Sequence, residues 1–200
     1  MPKPDLKKIT NFIFELNVLK KIPRSGWHLT GIDNPESVAE HIWRAAQIGY
    51  ILAVLEGNAN PERVAAMLLI HDNGEVRTGD KNKVNARYLE TDQAESRVFG
   101  DQLKNLGQTI EKKWQKYFDE FESRNTPEGI IAKDADWLEN AFQAKEYLDL
   151  GNKFVENWID NIEKALETES AKKILKEMKN TNFTDWWQGL KKMTYKKLYK

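Results

Sequence analysis

The segment NPESVAEHIWRAAQIGYILAVLEG, residues 34–57, decides the fold class. Asn34-Pro35 joins a capping residue type to proline, whose fixed φ suits the first turn of a helix. Behind it Val38, His41, Ala45, Ile48 and Leu52 recur at three- and four-residue intervals, which is one stripe of a helix. This reading predicts a helix from Pro35 to about Leu55, stopped by Gly57-Asn58. His41 falls on the apolar stripe and is expected to point inward.

The pattern continues in both directions. Asn60-Pro61 repeats the start signal, and Val64, Met67, Leu68 and His71 extend a helix predicted to end near Glu75 or Val76. Upstream, Ile9, Phe12, Ile13, Leu16 and Leu19 mark a first helix, broken at Pro23 and Gly26, with residues 24–34 as a loop. Downstream, a loop rich in Lys and Asn over 81–87 precedes helices expected at 90–106 and 109–123. Thr126-Pro127-Glu128 opens another, running to about Leu150 with Ala135, Leu138 and Phe142 on one face, and two or three more should fill 154–200. No sustained apolar/polar alternation argues for a strand. The expectation is an all-α fold: a single-domain helical bundle over residues 1–200, its core at about 10–150 and C-terminal helices at about 153–200 packed on it. The tail carrying Trp186, Trp187 and Tyr195 is amphipathic, suited to packing on the core or to a dimer surface.

Composition bounds the function. The 31 basic and 31 acidic side chains cancel, so no basic excess points to a nucleic-acid partner. There are no cysteines, which leaves His nitrogen and carboxylate oxygen as the means of holding a metal. No apolar run reaches the ~18 residues of a membrane span, and the first residues lack the apolar core of a signal peptide. A cytoplasmic protein without a membrane partner is expected.

Of the three histidines, His41 and His71 fall on otherwise apolar helical faces. His71 and Glu75 are four apart, one turn of a helix, and Asp72 is next to His71. Burying a carboxylate unpaired is costly, and coordinating a metal offsets that cost. The bland alternative is a core histidine with a backbone partner. The phrase His71-Asp72-Asn73-Gly74-Glu75-Val76-Arg77-Thr78-Gly79-Asp80 crowds acids at a helix end, where the helix dipole disfavours them. Lys133-Asp134-Ala135-Asp136 precedes Trp137 and Leu138, so Asp136 belongs to a largely buried helix, unless it lies on a polar stripe with Lys133 and Asn140. Pro23-Arg24-Ser25-Gly26-Trp27 sets Arg and Trp together before the first histidine helix, either as a ligand loop or as a capping loop with a core Trp.

The order His41, His71-Asp72, Asp136 resembles the HD-domain metal-dependent phosphohydrolases. With Pro23-Arg24-Ser25-Gly26-Trp27, Glu36-Ser37-Val38-Ala39-Glu40-His41 and Thr78-Gly79-Asp80, the likeness narrows to their 5′-deoxynucleotidase branch and covers residues 10–150 or so. The resemblance implies an HD-type bundle and hydrolysis of deoxyribonucleoside 5′-monophosphates. It implies His41, His71, Asp72 and Asp136 as metal ligands, Glu75 near the attacking water, and Asp80 near the leaving group and sugar. Arg24 would grip the phosphate and Trp27 would screen the sugar, with Arg44 and Arg77 as further phosphate candidates. Some branch members have Arg and Trp adjacent, whereas Ser25-Gly26 separates them here. One divalent ion is implied (Mn, Co, Fe, Mg or Zn), with Mn or Co favoured because four protein ligands leave no open position on a tetrahedral zinc. The partner is a small nucleotide, and a homodimer is expected. Other HD phosphohydrolases, acting on nucleoside triphosphates, guanosine tetraphosphate or cyclic nucleotides, remain alternatives, as does a non-catalytic nucleotide- or metal-binding helical module.

Overall fold

The computed structural model describes residues 5–89 and 91–190, with backbone alone at 91 and 92. Helix α1 (Leu6–Leu16) starts on Asp5, whose carboxylate accepts from the Lys7 and Lys8 amides. Of its apolar residues Phe12 is buried, whereas Ile13 faces solvent. A 3₁₀ turn at Asn17–Lys20 leads to an extended stretch that pairs with the residues before the next helix. There Arg24 N–H donates to Glu36 O at 2.9 Å, and Val38 N–H donates to Ile22 O at 2.9 Å. The segment expected as a loop after Arg24 is itself a 3₁₀ turn, Ser25–Thr30.

Helix α2 (Val38–Glu56) begins three residues later than the Asn34-Pro35 signal suggests. Ser37 is its cap. The Ser37 hydroxyl accepts from Glu40 N–H, and the Glu40 carboxylate accepts from Ser37 N–H at 2.7 Å, a reciprocal box that fixes the first turn. Residues 36–38 are already committed to the pairing with 22–24, so the helix cannot start earlier. Helix α3 (Pro61–Leu68) follows its Asn60 cap as expected but stops well short of Glu75. After Leu68 the chain tightens into turns, with Ile70, Asn73 and Glu75 amides donating three residues back, before the short α4 (Glu75–Thr78). His71 and Glu75 therefore do not share one continuous helix. Gly74 lets the backbone at Glu95 pack close against this turn, since a Cβ there would lie 2.7 Å from the Glu95 carbonyl oxygen.

Then come α5 (Thr91–Leu103), α6 (Gln108–Ser123), α7 (Pro127–Asp149), α8 (Glu156–Ala165), α9 (Glu169–Lys179) and α10 (Asp185–Gln188). Glu90, the expected start of α5, and Tyr195 lie outside the described residues. No strand occurs among the described residues beyond the isolated Pro23–Ser37 bridge, in keeping with the all-α expectation. Helix α7 is the axis. Its Ile131, Ala135, Leu138 and Ala141 share one core with Ala45 and Leu52 of α2, Val64 and Met67 of α3, Ile159 of α8 and Leu175 of α9. Gly49 of α2 lies against Ala135 of α7, where an added Cβ would come 3.4 Å from the Ala135 Cβ, so the two helices lie close and bring polar groups together. Trp186 of α10 stays exposed. No described helix is long and apolar enough to cross a membrane.

Candidate active site

Three elements converge below the surface: His41 from α2, His71 and Asp72 from the turn after α3, and Asp136 from α7. His41 Nε2 lies 3.2 Å from Asp136 Oδ1 and 3.8 Å from Asp72 Oδ2. His71 Nε2 lies 3.2 Å from Asp72 Oδ2 and 3.9 Å from Asp136 Oδ1. All four groups named from the sequence thus surround one point.

The donor set fits a divalent cation. His41 Nε2, His71 Nε2 and Asp72 Oδ2 are buried without a hydrogen-bond partner, although such groups are ordinarily satisfied. The other nitrogen of each ring is engaged: His71 Nδ1 contacts Leu68 O at 2.7 Å, and His41 Nδ1 contacts Glu139 Oε2. With the protons on Nδ1, both Nε2 lone pairs aim inward, as metal-binding histidines require. Two imidazoles and two carboxylates suit Mn, Fe, Co, Ni or Zn.

The electrostatics point the same way. Burial pulls the His41 pKa down, as does Arg24, yet Glu139 and Asp136 outweigh them and push it up to about 10. Burial opposes ionising Asp136, but Lys133, His41 and His71 hold its carboxyl well below the usual range. His71 is lowered by burial, so it stays neutral. The cluster thus attracts positive charge, and a divalent cation would take the place of the proton on His41.

Beside the cluster stands a second group. Glu75 is buried at the start of α4, with Oε1 accepting from Lys81 N–H at 3.3 Å and Oε2 unpartnered. Burial, then the neighbouring Asp72, pushes its pKa up to about 10. Arg24 reaches in from the other side: NH1 lies 2.9 Å from Asp80 Oδ1 and 3.5 Å from Asp72 Oδ2, and NH2 donates to Asn140 Oδ1 at 3.1 Å. Asp80 in turn accepts from the Ser25 amide at 2.6 Å and the Ser25 hydroxyl at 2.7 Å. Ser25-Gly26, the two residues that separate Arg from Trp, therefore have work to do. Ser25 ties the loop to Asp80, and Gly26 lets it pass Trp158, whose ring would be 2.6 Å from a Cβ.

Trp27 is the one member of the expected set that does not reach the site's surface. It is 1% exposed, stacks on Trp158 at 4.3 Å, meets Tyr147 edge-on, and donates from Nε1 to Glu36. Nor do the further phosphate candidates reach it. Arg77 is paired with Glu15 on the surface. Arg44 is bound to Glu139, Gln143 and Glu146.

Sequence reasoning missed Glu139 and placed Asn140 and Lys133 only on a polar stripe with Asp136, without a part in the site. All three share a face of α7 with Asp136, at i+3, i+4 and i−3, so helical spacing from Asp136 would have found them. Lys133 Nζ lies 3.2 Å from Asp136 Oδ2 and sits over the Phe121 ring.

Residues 16–179 match the family model described as HD domain. The chain is 33% identical over 146 residues to 5′-deoxynucleotidase hdd1 of Schizosaccharomyces pombe, covering 70% of this chain and 72% of that protein. It is 28% identical over 148 residues to 5′-deoxynucleotidase HDDC2 of Bos taurus, covering 74% of this chain and 71% of that one. Among solved structures, a conserved hypothetical protein from Pyrococcus furiosus matches with a TM-score of 0.74 and 30% identity, covering 86% of this chain and 99% of that one.

Proposed function

The chain belongs to the HD-domain family, and from that premise we propose that it is a metal-dependent 5′-deoxynucleotidase. In the reaction, a water oxygen bonds to phosphorus and the bond from phosphorus to the 5′ oxygen breaks. The 5′ oxygen takes up a proton, leaving a deoxyribonucleoside and inorganic phosphate. The observation that carries this reading is the convergence of two unpartnered Nε2 atoms and two carboxylates, with Arg24 at their edge. The names of the two relatives support the substrate class.

His41, His71, Asp72 and Asp136 would hold one divalent ion, Mn or Co for preference. Bound there, it would supply Lewis-acid polarisation of a phosphoryl oxygen and acidify water. Arg24, kept charged by Asp80 and Asp72 against the pull of burial, offers donors to the phosphate. Asp80 and Asn140 hold the guanidinium in place, and Ser25 holds Asp80. Glu75 is the proton acceptor for the water. Burial, then Asp72, keeps Glu75 protonated; a cation held by the neighbouring cluster would add positive charge that opposes both, and would favour the ionised carboxylate whose unpartnered Oε2 takes the proton. Trp27 supports the Arg24 loop from the core side.

The test is phosphate release from a panel of deoxyribo- and ribonucleoside monophosphates, after chelation and again with Mn or Co restored. Release from the deoxyribonucleotides that stops on chelation and returns with metal is the expected outcome. No release from any substrate with either metal would overturn the reading and leave a binding module.

The same reading makes the enzyme a homodimer. Support comes from α2, where Trp43, Tyr50, Ile51, Val54 and Leu55 are exposed. Contiguous apolar surface marks interaction sites, and a two-fold interface uses one patch twice. Light scattering should return twice the chain mass for the native protein and a single chain mass for Val54→Asp. A native monomer would remove the dimer from the proposal.

A further inference from the structure

Behind His41, on the side away from the cluster, runs a buried polar chain that the reaction does not use directly. Glu139 is fully buried, and one of its oxygens, Oε2, meets His41 Nδ1. Its other oxygen accepts from Arg44 Nε at 2.8 Å and lies 2.6 Å from Arg44 NH2. Arg44 is itself fixed at its far end, NH1 donating to Glu146 Oε1 at 2.6 Å and NH2 to Gln143 Oε1 at 2.7 Å. Every link joins α2 to α7. A fully buried carboxylate is costly unless it is paired; Glu139 is paired by His41 and Arg44, with the Glu36 carboxylate as a like charge within 4.8 Å of it.

We infer that Glu139, clamped by Arg44, is a positioning residue that holds the His41 ring with Nε2 facing Asp72 and Asp136, and so sets the affinity of the site for a divalent cation. The inference rests on the metal-site reading above. His71 has its Nδ1 partner in a backbone carbonyl, Leu68 O, which substitution cannot remove. Glu139 is therefore the side chain through which the orientation of a ligand imidazole can be changed without touching a ligand.

The probe is Mn²⁺ alone, titrated calorimetrically into the whole metal-free protein without substrate. The wild type is expected to bind one equivalent. Glu139→Gln should weaken the affinity by ~10- to 100-fold, the usual cost of removing the partner of a metal-bound histidine, with the thermal melt of the metal-free protein showing that it remains folded. Removing Glu139 alone takes one carboxylate from Arg44 and leaves Glu146 as its close partner, so the double variant Arg44→Met/Glu139→Gln removes both ends of the clamp. It should stay at least ~10-fold weaker than wild type.

Affinity within twofold of wild type in Glu139→Gln overturns the inference. So does recovery of wild-type affinity in the double variant, because the loss would then belong to the Arg44 charge left with one carboxylate fewer. Asp136→Ala separates the two levels of the argument. If it abolishes Mn²⁺ binding while Glu139→Gln does not weaken it, the metal site stands and the positioning role falls. If the wild type itself binds no Mn²⁺, both fall.

Discussion

Asp136→Ala is expected to abolish stoichiometric metal binding and to lower phosphate release by more than the ~100-fold that losing the outer partner of a metal ligand costs. Asp136 is the group on which the cluster closes. It comes from α7, the last along the chain of the three elements that form the cluster, and its Oδ1 lies 3.2 Å from His41 Nε2 and 3.9 Å from His71 Nε2. Removing it would leave three donors, the two imidazoles and Asp72, to hold the cation. It also strands Lys133 beside the imidazoles, a positive charge where a cation should bind. Metal analysis after growth in Mn-supplemented medium and phosphate release from a deoxyribonucleoside monophosphate should fall together. A variant that keeps a full equivalent of metal would sink the four-ligand assignment even if its activity were low.

The four cluster residues were legible in the sequence because their signals are local: a His on an apolar stripe, a His-Asp pair beyond another, and an Asp inside a buried helix. Their convergence was not legible locally. It depends on α2 and α7 lying close, with Gly49 against Ala135, which no short window reveals. Helix boundaries failed where two signals competed. Asn34-Pro35 is a sound start signal, but Ser37 and Glu40 make the stronger cap, and the pairing of residues 22–24 with 36–38 keeps the chain extended up to it. The α3 periodicity runs on through His71, yet Leu68 O is occupied by His71 Nδ1 and the turn tightens. Trp27 and Arg44 show the limit of reading roles from residue type. A Trp near a site can be core, and an Arg can be spent on a buried carboxylate; only the three-dimensional partners, Trp158 for one and Glu139 for the other, decide.

Glu75→Gln is expected to lower kcat by ~10²–10⁴-fold, the typical contribution of a positioned general base, while leaving metal stoichiometry and the fold intact. The swap preserves shape, and a glutamine Oε1 can still accept from Lys81 N–H as Glu75 Oε1 does. The buried carboxyl has its pKa raised to about 10 in the metal-free protein, chiefly by burial. A neutral amide therefore replaces a group that is already neutral before metal binds, and the metal-free protein should melt close to wild type. What the amide cannot do is accept a proton at the position of the unpartnered Oε2. The loss should accordingly appear in kcat with little change in KM, because ground-state contacts to the phosphate come from Arg24 and not from Glu75. Asp136→Ala and Glu75→Gln thus divide the site by readout: the first loses metal and rate together, the second loses rate alone. If Glu75→Gln keeps a third or more of wild-type kcat, proton acceptance must pass to another group. If it loses metal as well, Glu75 is a fifth ligand and not a base.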